Sequence, residues 1–171
     1  AGDLLKLAET LEAPVITSVN GKGAIPEKHR LSLGADLRLS AAHEFCREAD
    51  AMLIIGSKIG EAELWDGDIH PNGPVIRIDI ERAQILTNIT PDIELPGNSK
   101  AVVPQLLEAL AEEGATAETR EARDLQNVFD ALDNEGRSLA PELAALNEKI
   151  MDVLPEDTII AGDSSQVTYM G

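Results

Sequence analysis

The run AMLII at 51–55 is apolar throughout and stops on Gly56, and VIRIDI at 75–80 repeats the form with a single charged residue inside it. A short, continuous apolar run bounded by glycine is the mark of a parallel strand covered on both faces. Parallel strands need crossover connections, usually helical, so a chain with such runs must interleave them with helices. The intervening sequence supplies these. Leu4, Leu7, Ala8 and Leu11 recur at helical spacing, which predicts a helix over 3–12, and a second is predicted over 41–49. Val103, Leu106, Leu107 and Leu110 mark one face of a third, with Asn98 placed as its N-cap. VITSV, cut off from the first helix by Pro14, and DIEL at 92–95 complete the expected strands. The expected fold is α/β: a mostly parallel, Rossmann-like sheet with helices on both faces.

This pattern covers residues 1–113, and EEGATAET marks its expected end. The segment 114–138 is expected to be a linker carrying a polar-rich helix, outlined by Ala122, Leu125, Phe129 and Leu132 and broken at Gly136. From 139 to 171 a new unit opens: Pro141 suits the first turn of a helix with Leu143, Leu146 and Ile150 on one face. PEDTIIAGDSSQ then reads as a turn, a strand and a polar loop, the beginning of a second domain cut short.

Composition narrows the functional classes. With a formal net charge of -17 and no basic stripe, the chain would repel phosphates, which excludes nucleic acid as a partner. No apolar run approaches the roughly 20 residues of a membrane span, so no membrane is expected. The single cysteine, Cys46, excludes an intrachain disulfide framework and fits a reducing, cytoplasmic setting; beside Phe45 in a helical stretch it reads as a small core residue. His29, His43 and His70 are not spaced as metal ligands, and Asp66 and Asp68 read as turn chemistry.

Asn20-Gly21-Lys22-Gly23, directly after VITSV, has the glycine and lysine of a phosphate loop. It matches neither standard form. In the Walker pattern Ile16 stands where the first glycine belongs and Gly23 where Ser or Thr belongs. In the dinucleotide fingerprint the third glycine is replaced by Pro26. What remains is a glycine turn at the C-terminal end of a strand, either empty or ligand-facing. Two further strand ends point to the same edge, where open α/β sheets bind ligands. GSKIG follows AMLII and offers Gly56, Ser57 and Lys58, and Asp79 closes VIRI, where a carboxylate can accept hydrogen bonds from both hydroxyls of a ribose.

LAETLEAPVITSVNGKGAIPEKHRLSLGA, EADAMLIIGSKIGE and VIRIDIERAQI, in that order, resemble the central domain of thiamine diphosphate-dependent enzymes of the acetolactate synthase and 2-oxo acid decarboxylase group. LPEDTIIAGDSSQ resembles the entry to the domain that grips the cofactor's diphosphate. The resemblance implies a fragment of an enzyme acting on small 2-oxo acids, a homo-oligomer when whole, in which thiamine diphosphate and Mg do the chemistry. It also implies that the residues completing that site lie outside the chain, so that the fragment is inactive alone. The alternative is a non-catalytic α/β domain that binds an adenine nucleotide or serves as a scaffold. Carried over by position, the nucleotide-facing residues would be Asn20, Gly21 and Lys22, then Gly56, Ser57 and Lys58, then Asp79 and Ile80. Ser164, Ser165 and Gln166 would face the diphosphate. Flavin-dependent relatives carry arginine where Lys58 stands, and lysine lacks arginine's planar fork. The resemblance therefore favours ADP, or no nucleotide, over FAD in the central domain. Within the group, the shape of the GSKIGEAELW and GDSSQVTYMG stretches is closest to decarboxylases of amino-acid-derived 2-oxo acids such as that of arginine.

Overall fold

A computed structural model describes residues 2–65, 67–115, 124–155, 157–163 and 165–169. Helix α1 spans Gly2–Leu11, a 3-10 turn Val19–Gly21 and helix α2 Ser40–Arg47. Strands β1 (Met52–Ile55), β2 (Val75–Asp79) and β3 (Ile93–Pro96) follow, with the short α3 (Arg82–Ile85) between the last two. Helices α4 (Ser99–Glu112), α5 (Gln126–Leu139), α6 (Pro141–Val153) and the short α7 (Gln166–Tyr169) complete the chain. No helix is long and apolar enough to cross a membrane among the described residues.

The three strands form one parallel sheet in the order β1-β2-β3, with Ile55 opposite Ile78 and Asp79 opposite Pro96. Alternation along β1 explains why its sequence is apolar without a break. Leu53 and Ile55 pack with Leu7, Ile78 and Val103 under α1 and α4. Met52 and Ile54 pack on the other face with Leu37, Cys46, Ile59, Ile69, Val75 and Ile89. Both faces are covered, as the run itself required. The N-cap of α4 is Asn98, whose side chain accepts from the Lys100 N–H at 3.0 Å.

Two expected strands are not strands of this sheet. VITSV is extended but makes a single parallel bridge, Val15 with Ser32, to a segment that sequence reasoning left unassigned. The Thr17 N–H donates to the Gly34 carbonyl at 2.9 Å. Gly34 then turns away at φ +73° and the 3-10 turn begins at Val19, so the ladder has no room to lengthen. The strand expected within PEDTIIAGDSSQ is also absent among the described residues. Ile159 is 93% exposed, the Thr158 N–H turns back to the Pro155 carbonyl at 3.0 Å, and no strand lies beside the segment among the described residues.

Residues 126–138, expected within a linker whose helix breaks at Gly136, fold into α5, which runs unbroken through Gly136 and packs against α2. Leu125 and Leu132 are buried with Ala8, Leu31, Leu33, Leu39 and Ala42. The N-cap of α2 is Leu39, which has no side-chain acceptor to offer. Glu135 reaches across from α5 instead: its two carboxylate oxygens accept from Ser40 N–H at 2.9 Å and Ala41 N–H at 2.8 Å. A carboxylate there also meets the positive end of the helix dipole. Of the expected boundary stretch, residues 116–119 lie outside the described residues. Helix α6 has no buried residue, and Leu146 on its expected apolar face is 43% exposed.

The end of α1 is locked by a charge pair. Glu12 sits in the left-handed region at φ 49° and is buried, and both its carboxylate oxygens accept from the Arg30 guanidinium. That hydrogen-bonded pairing holds the Glu12 carboxyl below its usual range. A carboxyl whose pKa is lowered by folding contributes stability above its unfolded pKa and loses it as pH falls through the folded value. Glu12→Gln is therefore expected to melt at a lower temperature than the native chain at pH 7. The gap should close as pH falls below about 4. Thermal melts at both pH values decide it: a gap that is constant with pH would mean the Glu12–Arg30 charge pair contributes nothing.

Candidate functional site

The parallel order brings the C-terminal ends of β1 and β2 to one edge, where the turn into α4 meets them. Gly56, at φ +61°, leaves β1 with its N–H donating to the Ile78 carbonyl at 2.8 Å. Asp79 ends β2, and its Oδ1 accepts from Glu81 N–H at 2.9 Å. Its own carbonyl accepts from the Gly97 N–H at 2.8 Å, which draws the start of α4 alongside. Gly97 is needed there, because a Cβ would lie 2.8 Å from Val102 Cγ2. Between them is a crevice of about 170 Å³ lined by Gly56, Ile78, Asp79, Ile80, Gly97, Asn98 and Ser99. It combines one carboxylate, the exposed side chain of Ile80 and the N-terminal turn of a 14-residue helix. Asp79 is the one titratable side chain in the lining. The chemistry on offer is recognition: an acceptor for hydroxyls, an apolar wall and the positive end of a helix dipole.

Of the sequence-predicted residues, the crevice gathers Gly56, Asp79 and Ile80. Ser57 and Lys58 follow Gly56 but do not line it. The Ser57 hydroxyl accepts from the Ile59 N–H at 3.2 Å, and the Lys58 carbonyl accepts from the Asn88 amide at 3.2 Å. Asn20, Gly21 and Lys22 are not in the lining either. Asn20 and Gly21 belong to the 3-10 turn, and Gly23, not Gly21, has the positive φ, +81°. That turn already holds an anion of its own. Glu27 accepts from the Gly23 N–H at 3.2 Å and lies 3.9 Å from the Lys22 ammonium. Gln166 lines a different hollow, of about 420 Å³, with Ala140, Pro141, Glu142 and Leu143. The Ser165 hydroxyl is 3.1 Å from that of Thr168. Ser164 and Asp66 lie outside the described residues.

Sequence reasoning missed the residue that organises the loop after β1. Arg77 is 1% exposed in the middle of β2, on the same face as Val75. Its Nη1 donates to the carbonyls of Thr87 at 2.5 Å and Ile89 at 3.0 Å, and its Nη2 to that of Ser57 at 2.7 Å. Burial pushes its pKa down from the ordinary guanidinium value, and nearby Asp79 pulls the other way. The signal was legible: a charged residue inside an otherwise apolar strand run must find partners.

The other candidates are satisfied structural groups. His43 is buried, with Nε2 at 2.8 Å from the Glu63 carbonyl. His29 Nε2 lies 3.3 Å from Glu9. Burial pushes the Cys46 thiol up to about 11, which suits a core residue and not a nucleophile. The described residues contain no group of three side chains that could hold a metal ion.

Residues 1–106 match the family described as thiamine pyrophosphate enzyme, central domain. The chain is 31% identical over its whole length to the probable 2-ketoarginine decarboxylase AruI of Pseudomonas aeruginosa, of which it covers 31%. It is 38% identical to a probable acetolactate synthase large subunit of Methanocaldococcus jannaschii, over 63% of this chain and 19% of that one. It is 34% identical to the acetolactate synthase isozyme 3 large subunit of Escherichia coli, over 72% of this chain and 23% of that one. The chain thus spans less than a third of the length of these relatives. Matched from α1 through the sheet and the crevice into the first half of α4, the chain belongs to the thiamine pyrophosphate enzyme family, in its central domain.

Proposed function

We propose that this chain is part of a thiamine diphosphate-dependent enzyme that cleaves or forms carbon–carbon bonds of 2-oxo acids, a 2-oxo acid decarboxylase or an acetolactate synthase-type carboligase. The observation that carries the reading is that the match to the 2-ketoarginine decarboxylase covers the whole of this chain, whereas the acetolactate synthase matches cover 63% and 72% of it. In this reading residues 1–113 are the central domain, 114–138 connect and dock back through α5, and 139–171 open the cofactor-binding domain. Bound with Mg, thiamine diphosphate would supply the electron sink that decarboxylation needs. Ser164, Ser165 and Gln166 would hold its diphosphate, as the resemblance carries them over. In this reading the whole protein is a cytoplasmic homo-oligomer, and the single cysteine of this chain suits a reducing compartment.

The crevice takes the adenosine end of a nucleotide, with Asp79 accepting from the ribose hydroxyls and Ile80 against the base. At about 170 Å³ it is smaller than the roughly 300 Å³ or more of a pocket that encloses a whole ligand, so the rest of the molecule extends outside. ADP fits this better than FAD, because Lys58 stands where a flavin site needs a planar fork.

The test is an assay of the full-length protein that contains this chain, supplied with thiamine diphosphate and Mg. Release of carbon dioxide from 2-ketoarginine is expected, and none from the chain of 171 residues alone. Acetolactate formed from pyruvate would place the protein on the carboligase branch. No consumption of either 2-oxo acid would sink the proposal.

A further inference from the structure

Three consecutive carbonyls after β1 are each held by a side chain from the other side of the sheet edge. Arg77 Nη2 donates to Ser57 O at 2.7 Å. Asn88 Nδ2 donates to Lys58 O at 3.2 Å and Ile59 O at 2.5 Å. Asn88 stands between Thr87 and Ile89, whose carbonyls accept from the other guanidinium nitrogen of Arg77. The two side chains therefore zip the loop at 57–59 to the loop at 87–89. Ile59 and Asn88 both have left-handed backbones, φ 48° and 64°, which non-glycine residues seldom hold without such constraint. Ile59 is in addition 3% exposed and anchored in the core with Cys46 and Ile89. None of the three carbonyls keeps the freedom to turn.

We propose that Arg77 and Asn88 act together as positioning residues: they fix the loop at 56–60, whose first residue walls the crevice, and so set ligand affinity without touching the ligand. This rests on the nucleotide reading of the crevice given above. The arrangement needs arginine in particular. Its planar fork spans three carbonyls from two loops, whereas a lysine ammonium is a single point that cannot reach them together. Gly56, the residue of this loop that walls the crevice, has no side chain to pack, and a clamp from behind supplies the rigidity it lacks.

The test uses the whole chain and two variants. Asn88→Gly keeps the left-handed backbone, which glycine enters freely, and removes only the amide. Arg77→Lys keeps the charge and removes the fork. Hydrogen–deuterium exchange reads the amides at 56–60, and calorimetric titration with ADP reads the crevice. Both variants should speed exchange at 56–60 while exchange in β1 and α4 stays native, and both should weaken ADP about tenfold. If Arg77→Lys does not fold, Asn88→Gly decides alone. Exchange at 56–60 that is unchanged in Asn88→Gly, or raised equally throughout the chain, overturns the clamp. Faster exchange with native ADP affinity overturns its role in binding. A native chain that does not bind ADP would refute the nucleotide reading, and the exchange experiment would still decide whether the clamp exists.

Discussion

Gly73→Ala is expected to destabilise the chain by about 3 kcal/mol, or to prevent folding, although glycine to alanine is the smallest change a side chain allows. A Cβ at position 73 would lie 2.1 Å from the Asp50 carbonyl oxygen, 2.3 Å from its carbon and 2.8 Å from the Ala49 oxygen. All three neighbours are backbone, so no side chain can move aside. The backbone itself is tied: Gly73 N–H donates to Ala49 O at 3.1 Å, Asn72 N–H to Arg47 O at 2.9 Å, and Met52 N–H to Pro74 O at 2.9 Å. These bonds press the entry of β2 against the end of α2 and the start of β1. Backing away would break them and pull β2 off its register. Gly136→Ala is the opposite case. Gly136 lies within α5 with nothing within 4 Å of where its Cβ would be, so alanine should stabilise by about 0.5–1 kcal/mol through helix propensity. Guanidinium unfolding of the two variants checks both signs. A Gly73→Ala variant within 1 kcal/mol of the native chain would mean that the close approach at Asp50 does not exist.

The parts of the fold that were legible are those whose sequence carries its own reason. AMLII and VIRIDI are apolar because both sheet faces are covered, and any chain that buries them must pair them. Asn98 could be placed as a cap because capping is a contact between neighbours in sequence. The parts that were not legible depend on partners far along the chain. VITSV looked as strand-like as AMLII, but its partner at 31–34 turns off at Gly34 after one bridge. The strand expected within PEDTIIAGDSSQ has the right residues and no described strand beside it. At the site, Gly56 and Asp79 could be read as strand ends, and the topology did bring them together. Gly97 and Ser99 join them only because the Asp79 carbonyl draws the turn into α4 against the sheet, which no local pattern announces. The glycine turn at 20–23 drew attention for its lysine, but Glu27, four residues past Gly23, occupies its donor. Arg77 carried a signal that only burial makes decisive.

Leu132→Ala is expected to cost about 3 kcal/mol, the usual range for a buried leucine truncated in a packed core. Leu132 is 5% exposed and packs with Ala8, Leu31, Leu33, Leu39 and Ala42, so the cavity would open between α5, α1 and α2. Those neighbours come from segments ninety or more positions earlier in the chain. If α5 were only part of a connector, truncating it would loosen that helix and leave the sheet untouched. If it is part of the first core, the whole unit should lose stability in one transition. The second outcome is expected, because Glu135 one turn further on also caps α2 through Ser40 and Ala41, and Val128 and Phe129 pack against the same cluster. Leu146→Ala in α6 is the control. Leu146 is 43% exposed, so its truncation should cost less than about 1 kcal/mol. Unfolding followed by helical circular dichroism and by exchange of the β1 and β2 amides separates the cases. Loss of stability confined to α5, with the strand amides as protected as in the native chain, would show that α5 docks on the first unit without sharing its core.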